Sequence, residues 1–486
     1  MSSLIASPRW RPEDLGQPLP HSQHAVSTAM PQWSDVIGYE EGAPQVMDAL
    51  SCGYPRFFLH PLVAELLVKH HFSVFCSLPF PSKGAASRAL VFVFQQSGLS
   101  GTIKPLDYER IHVVAVPEAA YPALWAYWQH SGEIVSSRLA QAVLEERPLI
   151  EGHDEARDEI IRRLAQFSSA QPEDILLFPT GMAAIALAHR AASALFPDRA
   201  DVQFGFSYVD TLKLLEKMEP GAIFLASGDG EALSQLAARI DCNPPAAVFC
   251  ECPSNPLMVL PDLKALSLLL RPRRIPLIVD NTFDSFYQIK VFPYADLVVT
   301  SLTKYFSGVG DVMGGSLVFN AGSPLYSELR QSCAAHYEDL LFAGDATVLA
   351  HNSRGFQSRM ARVDATTSAL VEHLEAHPAV ARLYRPGNAE AGSYLLPNAE
   401  TRFGGLFSIE LKNAAAVTPG FYDRLRLCKG PSLGTEFTLV CPYTMLAHYN
   451  ELEWAAQLGI SAHLIRVSVG LEPLDELITR FDEALA

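Results

Sequence analysis

Three apolar, β-like runs in this chain end on residues that can do chemistry. The run ending at Glu251 continues into Pro253-Ser254-Asn255-Pro256, the next closes on Asp280-Asn281-Thr282, and the third on Ser301-Leu302-Thr303-Lys304. Ligands of open parallel sheets sit beyond the carboxyl ends of the strands, so a carboxylate, an amide, hydroxyls and an amine would share one rim. Singly, each has an ordinary structural reading: Asp280 could cap a helix, Asn255 serve a turn, and Lys304 stay solvated. Together they answer one set of demands. Pyridoxal 5'-phosphate (PLP) requires an amine for its Schiff base, a carboxylate for the pyridine nitrogen, a donor near the ring oxygen, and groups for the phosphate. Lys304, Asp280, Asn255 and the Ser301/Thr303 pair supply them.

Further phosphate donors are offered by Phe178-Pro179-Thr180-Gly181-Met182, a strand, a tight turn and the start of a helix expected over 183–196. The N–H groups and positive dipole end of such a terminus attract anions, although many βα turns bind nothing. Tyr208, beyond the run Val202–Phe206, could lay its ring on the pyridine face or simply pack.

These residues need a sheet to hold them. Strands are expected at Ile175–Phe178, Val202–Phe206, Ile223–Ala226, Ala247–Glu251, Pro276–Asp280, Leu297–Thr300 and Ser316–Phe319, alternating with helical stretches. That alternation predicts an α/β fold with a mainly parallel seven-stranded sheet. After about Met360 a helix and the runs Gly404–Leu411, Phe437–Cys441 and His463–Gly470 suggest a smaller C-terminal α/β domain. The expected division is 1–135 as an N-terminal accessory extension, 136–360 as the large domain and 361–486 as the small one. Within the extension Ala89–Gln95 reads as a β-rich run, and the first thirty residues, rich in Pro, Ser and His, as a loosely ordered or surface-wrapped leader.

Bulk properties narrow the partners. Acidic residues outnumber basic ones 53 to 37, a net charge of -16, and no Lys/Arg run could neutralise several phosphates, which argues against nucleic acid. No apolar run approaches the roughly 20 residues that span a bilayer, and no signal-peptide core is visible. The eight cysteines lack CxxC spacing and read as reduced thiols in a cytoplasmic protein. Cys250 and Cys252 alternate on a strand and make a poor metal clip; no metal is expected.

The motifs resemble those of the Cys/Met-metabolism PLP enzymes of fold type I: Thr180-Gly181-Met182-Ala183-Ala184, Glu251-Cys-Pro-Ser-Asn255-Pro, Val279-Asp280-Asn281-Thr282 and Ser301-Leu-Thr303-Lys304-Tyr305. The resemblance implies that Lys304 carries PLP and moves protons, and that Asp280 pairs with the pyridine nitrogen. It further implies that Ser301, Thr303 and the Gly181 and Met182 amides hold phosphate beside Asn255 and Thr282, and that Tyr208 stacks on the ring as a catalytic group. Gly430-Pro-Ser432-Leu-Gly434 and Leu464-Ile-Arg466-Val-Ser-Val-Gly470 resemble the family's α-carboxylate site, with Arg466 as clamp and Ser432 beside it. In the extension, Tyr39-Glu-Glu-Gly42, Gly53-Tyr-Pro-Arg56-Phe-Phe-Leu-His-Pro61 and Ile134-Val-Ser-Ser-Arg138 are similar to fungal cystathionine γ-synthases. An assembly or structural role is expected for that extension, since it carries no chemically demanding cluster.

Three departures stand out. Ser136 replaces the family's Tyr two residues before Arg138, the arginine that relatives lend to a neighbouring subunit's phosphate. Gly308-Val309-Gly310-Asp311 replaces Gly-His-Ser-Asp, and Tyr208-Val-Asp-Thr211 replaces Tyr-Gly-Gly-Thr. The activity implied is γ-replacement on an O-acetyl- or O-succinyl-homoserine with cysteine as nucleophile. Other sulfur or carbon nucleophiles in a specialised pathway, a γ-lyase, and a non-catalytic protein on the same fold are the alternatives. The implied assembly is a homodimer or homotetramer with shared sites.

Overall fold

A computed structural model describes residues 3–106, 110–147, 155–386, 393–395 and 404–486. The central sheet holds seven strands: β4 (Ile175–Phe178), β5 (Asp201–Phe204), β6 (Ala222–Leu225), β7 (Val248–Glu251), β8 (Leu277–Asp280), β9 (Leu297–Ser301) and β10 (Gly315–Phe319). Their order is β4-β10-β9-β8-β7-β5-β6. Only β10 runs against its neighbours, so the carboxyl ends of the other strands share one edge. Apolar runs such as Leu297–Val299, buried on both faces, are what a sheet covered by helices on each side requires. The expected runs agree with these strands to within one or two residues.

A second sheet of the order β11-β12-β15-β14-β13 comprises β11 (Val380–Tyr384), β12 (Leu406–Leu411), β13 (Cys428–Lys429), β14 (Leu439–Pro442) and β15 (Ile465–Ser468). The helices Phe356–Glu375 and Leu474–Leu485 share its core with Phe407, Phe421 and Phe481.

The extension differs from its expected form. It contains a three-stranded antiparallel sheet, β1 (Ser77–Phe80), β3 (His112–Ala115) and β2 (Thr102–Pro105) in that order. The run Ala89–Gln95, expected as a strand, lies inside the helix Lys83–Ser97. Ser82 caps that helix by accepting from the Ala85 N–H at 3.0 Å, and Gly98 ends it at φ 69°. Its buried residues Ala85, Ala86, Ala89, Phe92 and Val93 follow helical spacing, a period that a short continuous apolar run hides. The first thirty residues are not loose either. Leu4, Leu19, Val26, Ala29 and Met30 are buried. The Met30 N–H donates to Lys429 O at 2.9 Å, Tyr422 Oη to Met30 O at 2.8 Å, and Lys429 Nζ to Pro31 O at 2.8 Å. No helix of the described residues is long and apolar enough to cross a membrane.

Candidate active site

A cavity of about 1220 Å³, its solvent mouth included, opens beyond the carboxyl ends of the central strands. It is lined by Gly181, Met182, Tyr208, Asn255, Asp280, Thr282, Ser301, Lys304, Ser432 and Arg466. Ten residues singled out in the sequence therefore meet in one place.

On the phosphate side Thr180 caps the helix Gly181–Leu195, its hydroxyl accepting from the Ala183 N–H at 3.1 Å. The Gly181 and Met182 N–H groups, one turn position earlier, have no acceptor among the described residues and border the cavity. A Cβ on Gly181 would stand 2.8 Å from Ser301 Cβ, so glycine lets this terminus sit against the end of β9. Thr282 Oγ1 accepts from the Ser301 N–H at 2.8 Å, locking the ends of β8 and β9 together.

Asp280 and Glu251 end neighbouring parallel strands, in register with each other. Burial raises the Asp280 carboxyl to about 6, with hydrogen bonds from Thr282 opposing it. Burial and then the Asp280 charge raise Glu251 well above the carboxylate range, against the N–H groups of Tyr208 and Asn255 that it accepts at 2.6 and 2.9 Å. Two adjacent carboxyls cannot both ionise cheaply; Glu251 stays protonated and Asp280 carries the charge.

The substrate side is organised by one strained residue. Ser432 has φ 81°, a conformation that a non-glycine residue keeps only when its surroundings enforce it. Its Oγ accepts from Lys304 Nζ at 2.9 Å and its carbonyl from Arg466 Nη2 at 2.9 Å. Arg466 Nη1 also donates to Asn255 Oδ1 at 3.0 Å. An amide and a carbonyl hold this guanidinium, leaving its charge for a ligand carboxylate.

The extension supplies what sequence reasoning missed. Tyr54, Arg56, Phe57, Tyr39 and Glu40 all line the cavity. Arg56 is 2% exposed; its guanidinium pairs with Asp210 and donates to Gln129 O at 2.8 Å and Tyr208 Oη at 2.7 Å. Lys304 Nζ lies 4.3 Å from the Tyr54 ring centre. Burial would raise the Tyr54 phenol, but the Lys304 and Arg56 charges hold it below its usual value. Burial lowers Lys304; Tyr54 opposes the shift, and Arg466 and Arg56 add to it. The motif Gly53-Tyr-Pro-Arg56 was visible in the sequence, yet nothing local tied it to a strand end hundreds of residues away. Tyr443, whose ring lies 5.2 Å from the Arg466 guanidinium, was also missed.

Two expected cofactor residues lie outside the lining. Thr303 Oγ1 turns to Gly314, accepting its N–H at 3.1 Å and pointing toward its carbonyl at 3.4 Å. Arg138 does not reach its own chain's cavity: it donates to Asp311 O at 2.6 Å and pairs with Asp311 and Asp345 at 3.4 Å. Its acidic partners are therefore not the nearby Glu145 or Glu146. The sequence departures acquire reasons here. Asp210, where the resembled motif has glycine, neutralises Arg56. In the altered loop after the lysine, Gly310 O accepts from the Val26 N–H at 2.9 Å. Both changes face the extension.

The donor set suits a phosphate-bearing pyridine: a bare helix N-terminus with Ser301 for the phosphate, an ionised Asp280 for a cationic ring nitrogen, a lowered-pKa amine on Lys304, and the Tyr208 ring beside them.

Comparison with known proteins agrees. Residues 154–486 match the sequence model described as Cys/Met metabolism PLP-dependent enzyme. A cystathionine gamma-synthase of Neurospora crassa is 33% identical over 98% of this chain and 98% of its own. A cystathionine gamma-synthase-like enzyme of Amanita muscaria is 33% identical over 97% of this chain and 96% of its own. The crystal structure of cystathionine gamma synthase from Xanthomonas oryzae pv. oryzae superposes with TM-score 0.60 at 27% identity, covering 68% of this chain and 86% of that one.

Proposed function

This chain belongs to the Cys/Met-metabolism PLP-dependent enzymes, and on that premise we propose that it performs γ-replacement on an O-acylhomoserine, with cysteine as the nucleophile. The observation that carries the reading is Ser432, which holds both Lys304 and Arg466 and so sets an amine and a carboxylate clamp at fixed spacing in the cavity that Asp280 also lines. Bound here, PLP supplies an electron sink for charge developing at Cα and Cβ of an amino acid. Gly181, Met182 and Ser301 would hold its phosphate, Asp280 its ring nitrogen, and Asn255 its ring oxygen.

Arg466 fixes the substrate's α-carboxylate, which aims the Cα proton. The Lys304 amine, lowered by burial, takes that proton and moves protons at Cβ. Tyr208, held by Arg56, would cover the cofactor's ring and exclude water. In the net change the Cγ–O bond breaks and a carboxylic acid departs, while the thiol sulfur forms the Cγ–S bond and its proton balances the leaving carboxylate. We assign Tyr54 and Arg56 to the site of their own chain; Arg138, which meets Asp311 and Asp345 outside its own chain's cavity, is the residue we assign to a neighbouring subunit's phosphate. A homodimer or homotetramer is part of the same proposal, supported by exposed apolar side chains on the extension, Phe75 at 78% and Phe94 at 57%.

The test is O-acetylhomoserine or O-succinylhomoserine with cysteine, products identified by mass spectrometry; cystathionine is the expected product. Lys304→Ala should lose the visible absorbance of bound PLP together with turnover. A second reading is a different sulfur or carbon nucleophile in a specialised pathway, for which the Amanita muscaria relative, named only as cystathionine gamma-synthase-like, leaves room; product from sulfide or a carbon acid but none from cysteine would establish the different nucleophile.

A further inference from the structure

The helix Trp33–Glu40 of the extension carries a carboxylate that the scheme above does not use. The helix is clamped in place: the Trp33 N–H donates to Asp423 Oδ1 at 2.7 Å, and next to its end Glu41 Oε1 accepts from Tyr449 Oη at 2.6 Å. Its last residue, Glu40, lines the same cavity as Lys304 and Arg466. Glu41 is tied to its neighbour, whereas Glu40 has no hydrogen-bond or ion-pair partner among the described residues. Glu40, Cys441, Lys304 and Arg466 line one cavity, and the Cys441 thiol feels the charges of the other three. Leu446 and Ala447 line the cavity as well.

The other charges of the cavity are accounted for. Arg56 is neutralised by Asp210, Glu251 is protonated, and Asp280 faces the position of the ring nitrogen. Arg466 waits for the first substrate's carboxylate. A half-buried carboxylate without a donor costs stability, so its partner is to be sought in a ligand. Among the described residues no cation pairs with it.

We propose that Glu40 binds the ammonium of an amino-acid nucleophile, so that the second substrate is an amino thiol carrying a cationic amine. This rests on the γ-replacement reading and specifies its nucleophile. Burial alone raises Glu40 to about 7; an ammonium beside it would restore the ionised form, and that gain is available only to a cationic ligand. Arg466 and Glu40 thus sort two amino acids by opposite ends, one by carboxylate and the other by amine.

The test compares thiols that differ in one group. With O-acetylhomoserine as first substrate, L-cysteine and cysteamine carry the ammonium, and 3-mercaptopropionate lacks it. In Glu40→Gln the ratio of kcat/KM for cysteine over 3-mercaptopropionate should fall about 10- to 100-fold, as loss of one charge-assisted hydrogen bond implies, and cysteamine should follow cysteine. A variant that lowers all three thiols in proportion, or none, overturns the assignment. Titration calorimetry repeats the comparison without turnover, using L-cystathionine and S-(2-carboxyethyl)-L-homocysteine, which lacks the distal amine. Wild type should prefer cystathionine and Glu40→Gln should lose that preference; an equal preference in both proteins overturns the proposal. If no thiol reacts in wild type, γ-replacement by a thiol is wrong, and the calorimetric preference still decides the role of Glu40.

Discussion

Replacing Arg56 by Ala should cost more than any surface change in this protein, because the guanidinium is buried with its counter-charge. Both side chains of the Arg56–Asp210 pair are essentially inaccessible, at 2% and 0%. Breaking such a pair from one side leaves an uncompensated charge and typically costs about 3–5 kcal/mol. Asp210 would keep Gln129 Nε2 and His130 Nδ1, each at 2.9 Å, which places the expected loss near the lower end, about 3 kcal/mol. Arg56 holds Asp210 well below the usual carboxylate range against its burial, so the variant's Asp210 should titrate upward. Asp210→Asn strands the opposite charge and should cost a similar amount. The double variant Arg56→Ala/Asp210→Asn removes both charges, and its loss should fall short of the summed single losses by about 2 kcal/mol. Guanidinium unfolding followed by tryptophan fluorescence measures all three. Strict additivity, or a single-variant loss under about 1 kcal/mol, would refute the claim that a buried ion pair fastens the extension over the site. Visible absorbance of bound PLP in the same proteins reports whether Tyr208 keeps its position without the Arg56 donor at 2.7 Å.

Gly181→Ala brings a Cβ to 2.8 Å from Ser301 Cβ; about 1–3 kcal/mol of overpacking and a weaker PLP affinity, read by equilibrium dialysis, are expected, and unchanged affinity would remove this terminus from the phosphate site. His24 ties the extension to the helix Ser137–Leu144 through Ser137 Oγ at 2.9 Å and Gln141 Oε1 at 3.0 Å. Burial and then the Arg138 charge lower it from 6.5 to about 4, so the unfolded chain binds the proton first. Its contribution is complete above pH 6.5 and lost as pH falls toward 4, and hydrogen exchange in residues 16–30 should accelerate over that window in wild type but not in His24→Gln. Finally, Lys304→Ala mixed with Tyr54→Phe should regain no activity in co-refolded oligomers, since both residues serve the site of one chain; restored turnover would show that the extension reaches a neighbouring subunit.

Local patterns sufficed for the sheet and the rim. Each central strand is a short apolar run between helical stretches, and the residue after a strand's carboxyl end is placed by the strand itself. Asp280, Thr282, Ser301 and Lys304 could therefore be assigned to one edge from sequence alone. The helix Lys83–Ser97 resisted because a continuous apolar run shows neither period 2 nor 3.6; the buried stripe appears only once a partner surface selects it. Arg138 and Arg56 make the same point for the site. Arg138 meets Asp311 and Asp345 across 173 and 207 positions, and Arg56 meets Asp210 across 154. Glu40 and Tyr54 sit in segments with no strand-end logic. Their functional placement follows from the docking of the extension on β13, β14 and the helix Tyr443–Ala447, and long-range packing of that kind leaves no periodic trace in the order of the residues.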